Sequence, residues 1–309
     1  MSVINVIDLG TNTAHILIAT FVNGDLKPLQ KKRHYTFLAE NGIENISSSA
    51  QERLLKALDD FKQLEYSYNA EKTLIVGTEA FRLAKNGQQI LDHISNNYNW
   101  NVEIISGERE AELIFKGVQQ IVDIEIGNYL VMDIGGGSVE FIIASNNQIK
   151  WKESFPIGIA NIFNEHLSSK ALTHRDLKSI SETLIKQLKP LALAINKFKD
   201  LTLIGAAGSF EVLTKNNSYK DDLKYKEVSR ENFLALMREV INLSEEQRSE
   251  VAWIPKERVK YVTAAILLIR VAMNITSSKK IIISPYALKE GLAAEWFEKI
   301  HNHQNRFYF

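Results

Sequence analysis

Cysteine is absent from the 309-residue chain, which excludes disulfides, thiolate nucleophiles and Cys-ligated zinc or iron–sulfur centres. Proline is scarce, at 5 residues, in a composition that is otherwise 45% hydrophobic and 24% charged. Disordered and fibrous classes are therefore set aside. Net charge is also missing, since 37 basic side chains balance 37 acidic ones. A chain that coated nucleic acid or a membrane through bulk charge would carry an excess of one sign, so neither partner is expected. No apolar run reaches the ~20 residues of a membrane span, and the stretch from Val262 to Met273 is interrupted by Arg270. The start of the chain carries no basic leader, and Asp8 breaks its apolar stretch, so it reads as the start of the fold and cytoplasm is the expected compartment. Neither GxxxxGK[ST], GxGxxG nor HExxH occurs, which disfavours P-loop, Rossmann and zincin sites. Chemistry is left to carboxylates, hydroxyls, histidine, backbone amides or a hard metal.

What is present begins with a duplication. Ile4–Thr20 (INVIDLGTNTAHILIAT) lies over Tyr129–Ser145 (YLVMDIGGGSVEFIIAS) without a gap at an offset of 125 residues, pairing Asp8 with Asp133, Gly10 with Gly135 and Thr13 with Ser138. Each copy is an apolar run ending in Asp, a turn of small residues and a second apolar run, the pattern of a β-hairpin. A single long offset indicates a duplicated domain, not a solenoid. Two lobes are expected, residues 1–123 and 124–309, with the last helix free to pack back on the first.

Around the hairpins the pattern alternates. Ser49–Leu64 has helical spacing, Lys72–Gly77 reads as a strand, Thr78–Lys85 as a turn and helix, and Val102–Ile105 as a strand leading into a helix near Ser106. In the second lobe Thr173–Phe198 carries a long helical pattern, Leu201–Gly205 reads as a strand, Glu257–Met273 as a largely buried helix, and Lys280–Ser284 as a last strand before a helix through Phe297. Hairpins followed by alternating helices and strands in both halves predict a two-lobed α/β fold.

Three small-residue turns, Gly10–Thr13, Gly135–Ser138 and Gly205–Ser209, are candidates for cradling phosphate through backbone N–H groups. The plainer reading of each glycine is a tight turn. Asp8 and Asp133, at strand ends, suit a metal or a turn cap equally. Glu140 follows Asp133 across its turn, where the first copy has His15, so the two carboxylate sets are not equivalent. Ser106 followed by Glu108 and Glu110 reads locally as helix capping, though a Glu held there also suits a general base. Arg82 fits either a solvated face or bidentate phosphate binding.

The ordered motifs DLGTNTAHILIA, GTEAFRLAKNG, ISGEREAELIFKGV, VMDIGGGSVEFI, FPIGIANIF, LIGAAGSFEVL and ISPYALKEGL resemble the exopolyphosphatase/guanosine pentaphosphate phosphohydrolase family over nearly the whole chain. The resemblance implies two duplicated ribonuclease-H-like domains of the actin, Hsp70 and sugar-kinase superfamily, with an interdomain active-site cleft. It implies Mg²⁺-dependent hydrolysis of a terminal phosphoanhydride in polyphosphate or at the 5′ end of pppGpp, those being the expected partners; a homodimer is left open. Carried over by motif, Glu110 is the catalytic glutamate that activates water, and Glu140 helps hold the metal or that water. Asp8 and Asp133 are metal-associated, while Asn12, Thr13, Arg82, Gly135, Gly136, Gly137, Ser138, Gly208 and Ser209 bind phosphate.

Departures from the family pattern are Val139 for Thr, Ser209 for Thr, Lys289 for Arg, and Asn161 at a small basic position. They keep a non-catalytic binder of polyphosphate or alarmone as an alternative, with an ATP-dependent kinase of the superfamily behind it. Residues 1–123 carry 12 basic and 16 acidic side chains (−4), and 124–309 carry 25 and 21 (+4). No bulk polyanion trap is present, and the motifs end near residue 292, which favours short chains or a nucleotide.

Overall fold

The computed structural model describes residues 2–166, 171–206, 208–214 and 224–305, with side chains through Ile300. Contacts divide the chain into two compact units, Met1–Gln120 with Tyr286–Phe309, and Ile121–Pro285. A cut at 123/124 differs from this grouping chiefly at the end of the chain, where the segment from Tyr286 falls with the first unit.

In the first unit β1 (Val3–Leu9), β2 (Thr13–Val22), β3 (Asp25–Tyr35), β4 (Lys72–Gly77) and β5 (Val102–Ile104) form one sheet in the order β3-β2-β1-β4-β5. The first three strands make an antiparallel meander, while β4 and β5 run parallel to β1. Ile4, Val6, Ile7 and Leu9 are all buried, so β1 is covered on both faces, which explains its nearly unbroken apolar run. The edge strand β3 carries Lys27, Pro28, Lys31, Lys32 and Arg33, a composition that resists pairing with another chain.

The second unit repeats this plan. Strands β6 (Asn128–Ile134), β7 (Val139–Ser145), β8 (Gln148–Phe155), β9 (Leu201–Ala206), β10 (Lys226–Ser229) and β11 (Lys280–Ser284) are ordered β8-β7-β6-β9-β11-β10. Three antiparallel strands are again followed by parallel β9 and β11, with β10 added antiparallel at the edge. Even the irregularities coincide: the second strand of each sheet shifts register between Ile18 and Ala19, and between Ile143 and Ala144. The duplicated α/β architecture expected from the repeat is therefore present. Val139, one of the departures, is fully buried in the second core, where its methyl groups add apolar burial.

Two helices of the first unit matter for the site. Gly107–Val118 begins on Ser106, whose side chain accepts from the Arg109 N–H. Leu288–Asn305 packs against it so closely that a Cβ on Gly117 would enter the Ala287 backbone, and one on Gly291 the Leu113 backbone. Only glycine permits that approach. Arg109–Glu295 at 2.6 Å and Lys116–Glu298 at 2.5 Å join the same two helices.

Two helical expectations are corrected. The pattern over Thr173–Phe198 is two helices, His174–Gln187 and Lys189–Ile195, because Pro190 lacks an N–H and its ring excludes the preceding turn. The buried helix begins at Val262 and runs to Thr276, while Lys256–Arg258, just after Pro255, forms a separate short 3₁₀ turn. Among the described residues no helix is long and apolar enough to cross a membrane.

Candidate active site

The two hairpin turns are built alike. The Gly10 N–H donates to the Thr13 carbonyl at 3.0 Å, and the Gly135 N–H to that of Ser138 at 2.9 Å. A Cβ at Gly10 would stand 3.1 Å from the Thr13 oxygen, and one at Gly135 3.0 Å from the Ser138 oxygen, so the tight turn by itself accounts for both glycines.

Strand register sets the flanking polar groups. Asp8 lies directly opposite His15, and Asp133 opposite Glu140; directly opposed residues of antiparallel strands share a face. The Thr13 hydroxyl lies 2.9 Å from His15 Nε2, and the Ser138 hydroxyl donates to Glu140 Oε1 at 2.7 Å. Glu140 is 1% exposed, and the same oxygen also accepts from the Ser154 hydroxyl at 2.7 Å. The hydroxyl expected to meet phosphate thus holds a buried carboxylate. Ser154 escaped sequence reasoning, although it is the register partner of Glu140 across β7 and β8. Asp8 differs from its copy: burial pushes its carboxyl up to about 6, with Lys289 opposing the rise and Glu290 adding to it.

The glycine turn of the second unit is gripped from behind. Gly158, Ile159 and Ala160 donate their N–H groups to the carbonyls of Gly137 (2.7 Å), Gly135 (3.1 Å) and Gly136 (2.8 Å). Asn161 Nδ2 adds a bond to the Gly137 carbonyl at 2.8 Å. In a planar trans peptide the C=O and the next N–H point opposite ways, so the N–H groups of Gly136, Gly137 and Ser138 are turned away from residues 158–161. A Cβ on Gly158 would enter the backbone of Gly136 and Gly137, which makes Gly158 the contact that allows this grip. The first turn is held similarly: the Asn12 carbonyl accepts from Thr36 (2.9 Å) and Phe37 (3.1 Å), and that of Thr11 from Leu38 (2.7 Å).

The third turn includes Ala207, which lies outside the described residues. Gly208 opens a short helix, Gly208–Glu211, and the Ser209 hydroxyl donates to the Ile134 carbonyl at 2.9 Å. Ser209 therefore ties the third turn to the strand that leads into the second. Gly205 is explained by packing, since a Cβ there would enter the Phe210 ring.

Glu110 and Arg82 come together within the first unit. Arg82, on the short helix Glu79–Leu83, donates from Nη1 to Glu110 Oε2 at 3.3 Å and to the Ile105 carbonyl at 2.7 Å. Both side chains are mostly shielded, at 21% and 12% exposure. The carboxylate is thus aimed by a guanidinium that the backbone itself anchors. Among the described residues no group of three or more His, Asp or Glu side chains is arranged as a metal site; magnesium commonly takes only one or two carboxylates and keeps its waters.

The Ppx/GppA phosphatase family model matches residues 17–300. The chain is 27% identical over 289 residues to a guanosine-5′-triphosphate,3′-diphosphate pyrophosphatase of Aeromonas hydrophila, covering 93% of this chain and 58% of that protein. It is 23% identical to exopolyphosphatase 1 of Mycobacterium bovis, covering 94% and 86%. It thus spans little more than half the length of the Aeromonas relative. Among solved structures, an exopolyphosphatase from Cytophaga hutchinsonii superposes with a TM-score of 0.90 at 34% identity, covering 96% of this chain and 98% of that one. An Aquifex aeolicus member of the family, at 23% identity and a TM-score of 0.81 over 96% and 98%, shares the fold. A match along most of the sequence, with the hairpins and ordered motifs in place, means that the chain belongs to the Ppx/GppA phosphatase family.

Proposed function

We propose that the protein is a phosphoanhydride hydrolase that releases terminal phosphate from inorganic polyphosphate, short chains being favoured, or from the 5′ end of pppGpp. The observation that carries this reading is the shielded Glu110 carboxylate, aimed by Arg82 at the start of its helix. Family membership and the likeness to the Cytophaga exopolyphosphatase support it.

Glu110 is the general base. It takes a proton from water as the water oxygen bonds to the terminal phosphorus; the bridging P–O bond breaks, and the shortened chain or nucleotide leaves as an anion with orthophosphate as the second product. In the second unit, the N–H groups of Gly136, Gly137 and Ser138 are offered to phosphate oxygens, because Gly158–Asn161 claim the carbonyls of that turn. Amides fixed in this way stabilise charge without reorganising at the moment of reaction. Ser138 contributes its amide, its hydroxyl being held by Glu140.

A hard divalent cation, Mg²⁺, fits the residues. Two carboxylates, Asp133 and Glu140, oppose each other on one face with Glu140 buried, and burial disfavours the charged form of Asp8; each arrangement is relieved by a cation. Asp133 and Glu140 are the proposed ligands in the second unit, and Asp8 is the corresponding metal-associated carboxylate of the first. When bound, the ion neutralises charge on the phosphate oxygens.

The test is phosphate release from polyphosphates of several lengths, pppGpp and ATP, with and without Mg²⁺, for wild type and Glu110→Gln. Metal-dependent release lost in the variant supports the reading. Tight binding without release under any divalent metal would select a non-catalytic binder, and ATP consumption that needs an acceptor would select a kinase.

A further inference from the structure

Arg270 interrupts the most apolar helix of the chain, and the hydrolytic site makes no use of it. The helix Val262–Thr276 buries 12 of its 15 residues, and Arg270 is its one charged side chain. Among the described residues no carboxylate pairs with Arg270 or with Arg238. A half-buried guanidinium without an anion is expensive to keep. A core-facing helix would more cheaply carry another Leu there.

Arg270 lines a groove of about 490 Å³ inside the second unit, within the usual size for small-ligand sites. Leu177 and Ile241, both buried, give it an apolar floor. His174, Lys178 and Arg238 stand with Arg270 around it, and Glu182 is its one acidic lining residue, 3.9 Å from Lys178 with both side chains well exposed. Lys178, Arg238 and Arg270 thus set three positive charges against the one negative charge of Glu182. None of the phosphate-loop residues lines it.

Excess positive charge over an apolar floor selects one chemical class. A free phosphate would satisfy the guanidinium groups and leave the floor wet, whereas an apolar molecule would leave Arg270 unpaired. We infer that this groove is a second ligand site, built for a small molecule that joins phosphate to a flat aromatic ring whose face packs on apolar side chains, as a nucleoside diphosphate does. Arg270 and Arg238 pair with the phosphates, for which guanidinium forks are well shaped, and the ring covers Leu177, Met237 and Ile241.

Calorimetric titration of the full-length protein with ADP, and separately with pyrophosphate, tests the assignment. The expected result is saturable ADP binding that Arg270→Met and Arg238→Gln each weaken by about tenfold, the loss of one charge-assisted hydrogen bond. Met237→Ser should weaken ADP and leave pyrophosphate unchanged, and phosphate release measured without ADP should be the same in all three variants. Arg238 is exposed, so its variant keeps the test decisive if Arg270→Met melts early. No saturable ADP binding, equal ADP affinity in wild type and Arg238→Gln, or pyrophosphate binding as tightly as ADP would each overturn the assignment.

Discussion

Arg82 Nη1 bridges two acceptors on neighbouring elements, the Glu110 carboxylate at 3.3 Å and the Ile105 carbonyl at 2.7 Å. A carbonyl acceptor keeps the guanidinium in place whatever the state of the carboxylate, so Arg82 directs Glu110 besides balancing its charge. Removing the carboxylate and removing its director should therefore have separable effects. Glu110→Gln should lower kcat for phosphate release by about 10²- to 10⁴-fold, the usual size of a general-base contribution. Arg82→Gln should fall less far, and Arg82→Lys should recover only part of the loss, because an ammonium on a flexible stem is not held between the two acceptors as the rigid planar guanidinium holds Nη1. Steady-state kinetics on one substrate at saturating Mg²⁺ reads both.

Glu140 separates metal holding from folding. Glutamine keeps an oxygen to accept from Ser138 and Ser154 while removing the negative charge. Glu140→Gln should melt within a few degrees of wild type, yet need about tenfold more Mg²⁺ for half-maximal phosphate release. An unchanged metal requirement would remove Glu140 from the proposed ligands.

Gly158→Ala is expected to act at a distance from its own position. The added methyl meets the backbone of Gly136 and Gly137, so the turn must shift, at about 1–3 kcal/mol of stability. Activity should fall together with the melting temperature. Asn161→Ala removes one bond to the Gly137 carbonyl and should reduce stability by about 1 kcal/mol. Urea melts monitored by circular dichroism check both.

Arg248 offers a test of the second unit alone. It is 2% exposed and donates to the Val259 carbonyl at 3.1 Å and the Leu243 carbonyl at 2.6 Å; burial lowers its pKa. Arg248→Met keeps much of the volume but leaves both carbonyls, the Val259 one buried, without that donor. A loss of about 2–4 kcal/mol follows, visible as a lower denaturation midpoint.

Glu295 sets an acid-side prediction. Against the burial that raises it, hydrogen bonds from Arg109 and Lys299 hold its carboxyl down at about 2. A folded-state pKa below the ordinary value of 4.5 means stability present above that value and lost as pH falls through the folded pKa toward 2. Glu295→Gln should therefore reduce stability near neutrality by about 1 kcal/mol, since the pair is partly solvated. The difference from wild type should shrink between pH 4.5 and 2, which urea melts at a series of pH values measure.

Local pattern by itself determined the duplication, because a hairpin is coded within about 17 residues by an apolar run, a small-residue turn and a second run. The matching register shifts at Ile18/Ala19 and Ile143/Ala144 follow from that repeat. Candidate residues were legible at the turns and strand ends, and Ser106 announced the helix that carries Glu110. Partnerships between distant residues were not. That Arg82 meets Glu110 across 28 positions, that Ser154 shares the carboxylate with Ser138, that Asn161 and Gly158 hold the glycine turn from behind, and that the segment from Tyr286 falls with the first unit were decided only in three dimensions. Spacing along a chain encodes the face of a strand or helix; which carbonyl or carboxylate stands opposite depends on how separately coded elements pack, and tertiary packing alone specifies that.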